Sequence, residues 1–221
     1  MDVIDALNSR FTVRAFKNDA VDKETILKVL EAAIRAPSWA DTQPWQIYVA
    51  GGDALERIRR ASLENSLKGM LRNSDIPAPK NWPPAMKKRM EDMIAEREKA
   101  TGLDTSDKAV RLAVSQLNYR LFDAPAVIYL CMDKSLGPWS MFDLGLLAQS
   151  IMLAATDYGL NTGPAVMLVG YPGTIREALN IPEDLSIVFG IAIGYGDVNH
   201  PQNRARSRRR SIQDVANLIG F

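Results

Sequence analysis

Histidine and cysteine are the scarcest reactive side chains in this sequence, with one of each among 221 residues. A single histidine, His200, excludes a multi-histidine metal site. The sequence also contains no Gly-x-Ser-x-Gly segment, so it offers no nucleophile elbow for a serine triad. The one cysteine, Cys131, excludes an internal disulfide and lies in an apolar run that predicts a buried strand. We therefore expect no catalytic side chain and no metal, but a cofactor that carries the chemistry.

Long hydrophobic runs are absent as well. The most apolar stretch, residues 141–156, contains Asp143 and Gln149 and is shorter than the ~20 residues that a membrane-spanning helix needs. Charged residues near the N-terminus do not fit a signal peptide. The net charge of +1 creates no strong field toward nucleic acid or acidic lipid. We therefore predict a soluble, cytoplasmic protein that binds neither membranes nor nucleic acid.

The hydrophobic pattern predicts helices that alternate with a few apolar strands. Asp2 and Asp22 are placed to cap the first two helices. Strands are predicted at 46–50, 126–132, 164–169 and 187–193, with further helices at 53–62, 86–97, 110–121, 142–158 and 174–179. Ser211 and Asp214 resemble a capping box for a last helix that turns Val215, Leu218 and Ile219 inward. Strands that are apolar throughout indicate an α/β or α+β sandwich, with helices on both faces of the sheet.

The central part of the chain has its own character. Residues 73–84 contain four prolines and one tryptophan, which predicts a loop or lid. The charged residues of the following helix, Arg97 among them, alternate in sign and are interpreted as a solvent-exposed face.

Four polar segments are candidates for a binding site: residues 9–14, 36–45, 160–166 and 204–210. The first contains Arg10, Thr12 and Arg14, which either bind an anion or form a solvated loop. The last has five arginines in seven positions. It fits a nucleic-acid patch, a solvated tail, or an anion site shared with Arg10 and Arg14, and the near-neutral net charge weighs against nucleic acid.

Taken in this order, these segments resemble the nitroreductase family of flavin mononucleotide (FMN) enzymes. The segments that carry the resemblance are Arg10-Phe-Thr-Val-Arg14, Pro37-Ser-Trp-Ala-Asp-Thr-Gln-Pro-Trp45, Asn118-Tyr-Arg-Leu-Phe-Asp-Ala-Pro125, Gly159-Leu-Asn-Thr-Gly-Pro164 and Arg206-Ser-Arg-Arg209. The match spans the chain except for about residues 63–110, which look like a variable lid or helical insertion in a single domain, 1–221.

The resemblance implies which residues bind FMN. Arg10, Thr12 and Arg14 would hold its phosphate and ribityl chain, and Arg206 and Arg209 would complete the phosphate site, with Arg208 as a rival. Phe11 is expected among the cofactor-binding residues of the same segment. Residues near the flavin ring would be Pro37, Ser38, Trp39 and Asp41 from the partner subunit, together with Asn118, Pro164, Ala165 and Val166. The implied fold is a mixed sheet between helices in a domain-exchanged homodimer.

The implied activity is hydride transfer from NADH or NADPH through flavin N5 to a small oxidised acceptor such as a nitroaromatic or a quinone, with ping-pong kinetics. Reductive dehalogenation, oxidative dehydrogenation and a non-catalytic flavin-binding module remain open alternatives. Trp39 and Trp139 are expected to line the acceptor pocket, although Trp139 also fits ordinary core packing. The sequence departs from the family pattern at Asp41, where asparagine is usual, and at Gly163, where cysteine is often found.

Overall fold

The computed structural model of the protein describes residues 1–221 as seven α-helices around a four-stranded sheet. The helices are α1 (Val3–Ser9), α2 (Lys23–Ala33), α3 (Gly52–Leu67), α4 (Pro84–Thr101), α5 (Lys108–Tyr119), α6 (Pro138–Asp157) and α7 (Pro172–Leu179). The strands are β1 (Gln46–Gly51), β2 (Ala126–Asp133), β3 (Asn161–Ala165) and β4 (Leu185–Gly194). None of these helices combines the length and apolar character needed to cross a membrane.

The strand order in the sheet is β1-β2-β4-β3, and each neighbouring pair is antiparallel. The sheet is mixed only at its β3 edge, where Thr12 forms an isolated parallel bridge with Thr162. The N-terminal segment is thereby placed along the outer side of β3, which matters for the site described below.

Both faces of the sheet are covered, as predicted. Alternate residues of a strand point to opposite faces, and β2 follows this rule. Val127 and Tyr129 belong to a core cluster that includes side chains of α3 and α7, whereas Ile128 and Leu130 belong to one that includes side chains of α2 and α6. All four β2 residues are completely buried, which explains why the sequence of the strand is apolar without alternation.

The predicted helix ends are confirmed where a local signal defines them. The Asp2 carboxylate accepts from the Ile4 N–H at 2.8 Å, and the Asp22 carboxylate accepts from the Thr25 N–H at 2.8 Å. Gly159 follows α6 with a φ of +76°, the left-handed conformation that glycine adopts without strain.

The strand predicted at 164–169 is displaced. The strand is β3, which ends at Ala165, and Val166–Val169 form a 3₁₀ turn instead. In this turn Val166 is exposed, whereas Leu168 and Val169 are buried, and Leu168 packs against Gly190 of β4. The apolar run thus reflects a buried turn rather than a strand.

The predicted last helix is wrong. Residues Ile212–Asp214 form one 3₁₀ turn, in which the Ser211 hydroxyl contacts the Asp214 carboxylate at 2.8 Å. Leu218 and Ile219, expected to face inward, are 77% and 88% exposed, and Val215 is exposed too. The segment does not pack against the hydrophobic core of its own chain. An amphipathic helix without a surface to pack against has only marginal stability.

Candidate functional site

The N-terminal arginine segment is fixed between the edge strand and a turn near the C-terminus. The Val13 N–H donates to the Thr162 carbonyl oxygen at 2.9 Å. The next residue, Arg14, donates its backbone N–H to Asn203 Oδ1 at 2.8 Å. The side-chain amide of Asn203 in turn donates to the carbonyl oxygens of Ala15 and Asp197 at 2.7 and 2.8 Å. Asn203 therefore joins the two ends of the chain, a role that the sequence did not reveal.

A small cavity of about 100 Å³ lies where the two chain ends meet α4. It is lined by Phe11, Thr12 and Arg14, by Met93, Glu96, Arg97 and Ala100, and by Ala205, Arg206 and Ser207. The structure thus brings together four of the residues expected from the sequence to bind the cofactor.

The three arginines that line this cavity, Arg14, Arg97 and Arg206, lack acidic partners. Burial and then the nearby charge of Arg97 lower the pKa of Arg14 to about 10. Burial and then the charge of Arg209 also lower the pKa of Arg10. The arginines that pair with carboxylates are Arg59, Arg120, Arg176 and Arg208, and the cavity's Arg14 and Arg97 are not among them. Like charges held together without counterions are suited to binding an anion.

The C-terminal arginine run divides its side chains between different partners. The Arg206 guanidinium lies over the Phe11 ring, 3.4 Å from its centroid. Arg208 is turned to α4, where it pairs with Glu96 at 3.0 Å. Arg209 contacts Ser207 and is close enough to Arg10 to repel it.

A second group of predicted residues lies at the start of α6. The rings of Trp39 and Trp139 meet edge to face with centroids 5.8 Å apart. The backbone N–H of Trp39 donates to Asp143 Oδ2 at 3.2 Å, and Asp143 is 3% exposed. The Trp139 side chain is 66% exposed, which rejects the alternative that it is ordinary core. The two tryptophans line an open cavity of about 420 Å³.

The loop that carries Trp39 has an unusual backbone. Ala40, Asp41 and Gln43 all have φ between +45° and +56°. Two hydrogen bonds of 2.9 Å hold this conformation, from the Gln43 amide to the Asp41 carboxylate and from the Gln43 N–H to Ser38 Oγ. Left-handed non-glycine residues in one exposed loop are a common sign of a ligand-binding segment. The aspartate at position 41 therefore has a local function, as the acceptor for Gln43.

The residues predicted at the flavin ring are distributed over β3 and its neighbours. Pro164 and Ala165 are half-buried at the end of β3, and Val166 is exposed just beyond. Position 163 has no room for a side chain, because a Cβ there would lie 2.3 Å from the Val13 carbonyl oxygen. Asn118 lies on α5, where its amide donates to the Ser115 carbonyl oxygen at 3.2 Å.

Two residues of the site were missed from the sequence. Arg97 was interpreted as part of a solvated face, yet it lines the arginine cavity and donates to Gln202 Oε1. Asp143 was noted only as an interruption of an apolar stretch. The tryptophan cavity and the arginine cavity share no lining residue, and none of residues 37–41 lines the arginine cavity.

Comparisons with known proteins agree on one family. The model of the nitroreductase family matches residues 7–195. Among curated proteins, the 4-nitrobenzoate reductase of Pseudomonas putida is 31% identical over 221 aligned residues, which cover 96% of this chain and 93% of that protein.

Solved structures give the same result. The FMN and NADPH-dependent nitroreductase NfnB from sphigopyxis sp. strain HMH superposes with a TM-score of 0.94 at 30% identity, over the whole of both chains. The FMN-dependent nitroreductase NfnB from Mycobacterium smegmatis, solved in complex with NADPH, has a TM-score of 0.92 at 27% identity and matches 98% of this chain and 97% of that one.

Proposed function

The chain belongs to the nitroreductase family, and from this premise we propose that it is an FMN-dependent NAD(P)H oxidoreductase that reduces nitroaromatic compounds. The observation that carries the proposal is the arginine cavity, because its charge and position suit the phosphate of the cofactor. The family match and the named relatives support the same activity.

The residues present fit FMN. Arg14 is largely buried without a carboxylate partner, and burial lowers its pKa, so a bound phosphate would supply the charge that the protein does not. Arg10 and Thr12 precede it on the segment that runs along β3. We assign the phosphate and ribityl chain to these three residues with Phe11, Arg206 and Arg209.

When bound, FMN supplies the redox chemistry by accepting hydride from the nicotinamide and returning two electrons to the acceptor. Reduction of a nitro group to a nitroso group consumes NAD(P)H and a proton and yields NAD(P)⁺ and water. The protein contributes orientation and charge, and its single histidine and buried cysteine have no place in the reaction.

The ring of the cofactor is assigned to the β3 edge. Pro164 and Ala165 end the strand that bridges to the arginine segment, and Val166 follows it, which supports the assignment of the ring to these residues. We also assign Asn118 of α5 to this environment. Pro37, Ser38, Trp39 and Asp41 are assigned to the flavin of the partner subunit, since none of them lines the arginine cavity of their own chain and Trp39 lines a different one.

The two tryptophans suit an aromatic acceptor. Trp39 and Trp139 are 64% and 66% exposed and present ring faces and edges to an open cavity. Aromatic rings prefer offset or edge-to-face contacts, which a nitroarene can make with this pair.

A homodimer follows from the same assignment, because the loop at 37–41 and the arginine cavity must come from different chains to meet. The exposed apolar side chains of the C-terminal segment support this, since Leu218 and Ile219 lack an intramolecular partner. We also propose a cytoplasmic location, where nicotinamide donors are regenerated, and a lid role for residues 63–110 of the single domain.

The deciding experiment is an absorbance spectrum of the purified protein, followed by anaerobic addition of NADH or NADPH. We expect flavin bands at about one FMN per chain and prompt bleaching, and then recovery of the bands on addition of a nitroarene. A colourless protein that does not take up added FMN would reject the proposal.

The phosphate assignment predicts that Arg10→Ala weakens FMN retention by about tenfold, as expected for loss of one charge-assisted contact. The measurement is the dissociation constant of FMN from fluorescence quenching. Arg57→Ala removes an exposed arginine of α3 that lines neither the arginine cavity nor the tryptophan cavity, and it is the matched control. Unchanged FMN affinity in Arg10→Ala would remove Arg10 from the site.

A further inference from the structure

Helix α4 brings an additional cation to the arginine cavity. The helix belongs to the 63–110 segment, outside the motifs that identified the site, yet its C-terminal half packs against the turn Pro201–Asn203. There the Arg97 guanidinium donates to Gln202 Oε1, and Gln202 is 3% exposed. Arg97 is thus held by a neutral acceptor in the wall of the cavity.

The surroundings of Arg97 leave its charge unbalanced. Burial lowers its pKa, and its charge in turn contributes to the lowered pKa of Arg14. Glu96 is the one acidic residue of the cavity lining, and it pairs with Arg208 at 3.0 Å instead. Two unpaired guanidiniums, Arg14 and Arg97, therefore share one small cavity with Arg206.

Such an arrangement is unfavourable without a ligand, because each partly buried cation loses part of its hydration and is repelled by the other. A ligand that carries two negative charges on one compact group balances both. A phosphate monoester meets this requirement, since its three free oxygens accept hydrogen bonds from separate guanidiniums.

We propose that Arg97 binds a phosphate monoester together with Arg14, so that the variable helix α4 takes part directly in cofactor binding. This inference rests on the proposed function. The same proposal explains the Glu96–Arg208 ion pair, because Arg208 neutralises a carboxylate that would otherwise repel the phosphate.

The phosphate monoester has two possible sources in this reaction, the 5′-phosphate of FMN and the 2′-phosphate of NADPH. Each source has a natural comparison compound that lacks that group, riboflavin for FMN and NADH for NADPH. The ratio of affinities within each pair therefore reports on the phosphate alone and not on the rest of the ligand.

The test compares wild type with Arg97→Gln, which keeps a polar side chain without the charge. The control is Arg89→Gln, an exposed arginine on the same helix. If Arg97 binds the flavin phosphate, Arg97→Gln weakens FMN binding about tenfold to a hundredfold and leaves riboflavin binding unchanged. If it binds the nicotinamide phosphate, only the NADPH-to-NADH ratio of dissociation constants changes, and it rises because NADPH binding alone is weakened.

Arg97→Lys retains the charge and is expected to restore part of the lost preference, which a purely structural effect of residue 97 would not produce. Unchanged ratios in both ligand pairs would overturn the inference, as would equal loss of FMN and riboflavin binding in a folded variant. Wild-type protein that fails to bind FMN would reject the proposed function itself, so the two failures are distinguishable.

Discussion

At the scale of single residues, the buried hydroxyl of Tyr129 is an unsatisfied group at the centre of the sheet. The residue is completely buried and its hydroxyl has no hydrogen-bond partner. An unpaired buried polar group is costly, whereas its removal together with retention of the ring is not. Burial also raises the pKa of this phenol, because the charged form is excluded from the core.

We therefore expect Tyr129→Phe to leave the free energy of unfolding unchanged or to raise it by about 1 kcal/mol. Urea denaturation measures this. Tyr171→Phe is the matched control, because the Tyr171 hydroxyl donates to the Met70 carbonyl oxygen at 2.9 Å and its loss should destabilise. A clear loss of stability in Tyr129→Phe would show that the hydroxyl has a favourable partner.

The buried thiol of Cys131 predicts a loss of folding stability at alkaline pH. Burial raises its pKa from 9.0 to about 12. The folded state therefore favours the neutral thiol, and its contribution to stability is complete below the unfolded pKa and is lost as pH rises from 9.0 toward 12. In Cys131→Ala we expect the alkaline fall in melting temperature to begin at higher pH, where tyrosines ionise. Parallel curves for variant and wild type would contradict this assignment.

At the scale of elements, the proline-rich loop is fixed by one buried ion pair. Asp75 accepts from Arg176 Nη2 at 2.8 Å and from the Ile187 N–H at 2.7 Å. Arg176 is 8% exposed and also donates to the Leu185 carbonyl oxygen. The loop is thus attached to both α7 and the start of β4.

We expect Asp75→Ala to lower the free energy of unfolding by about 3 kcal/mol, because it leaves a buried guanidinium uncompensated. The measurement is again urea denaturation. Glu183→Ala is the control: this carboxylate also approaches Arg176, at 3.5 Å, but is 86% exposed and contributes little. Equal effects of the two substitutions would contradict the role given to Asp75.

The helices and strands that were predicted correctly are those defined by residues within or next to the element itself. Asp2 and Asp22 cap their helices locally, and the continuous apolar pattern of β2 follows from its burial on both faces. The wrong predictions concern segments whose secondary structure depends on contacts with residues distant in sequence. The 164–169 run became a turn because Leu168 packs on Gly190, and the capping box at Ser211 produced no helix because the segment has no core to face.

The residues of the arginine cavity were likewise predicted from the sequence where they stand in a motif, and missed where a long-range contact places them. Arg10, Arg14 and Arg206 stand in recognisable motifs, and the structure brings Arg14 and Arg206 to one cavity with Arg10 on the adjoining segment. Arg97 has no motif: its position depends on α4 meeting the turn Pro201–Asn203, which lies about a hundred residues away in sequence. Charge alternation along α4 favours a solvated face until that contact is known.

At the scale of the whole molecule, the exposed apolar side chains near the C-terminus predict that two chains form a dimer. Leu218 and Ile219 are 77% and 88% exposed, and Val3 and Ile4 of α1 are 66% and 62% exposed. We expect sedimentation to give twice the 24.5 kDa mass of one chain. Leu218→Asp combined with Ile219→Asp should weaken dimerisation at least about tenfold.

Val198→Asp, which alters another exposed aliphatic side chain, serves as the control for that experiment. A monomeric wild-type protein would reject the dimer, and a dimer indifferent to both tail substitutions would place the interface elsewhere. Loss of bound FMN along with the dimer is expected, because the assigned flavin environment includes residues of two chains.

The position of Cys131 has a further consequence for an enzyme of this activity. Nitrosoarenes, the first products of nitro reduction, are electrophiles that add to thiolates. The chain's only thiol is completely buried in β2, and its high pKa keeps it protonated at neutral pH. At position 163 the approach of the Val13 carbonyl oxygen permits only glycine. The folded enzyme therefore presents no thiolate to its own products.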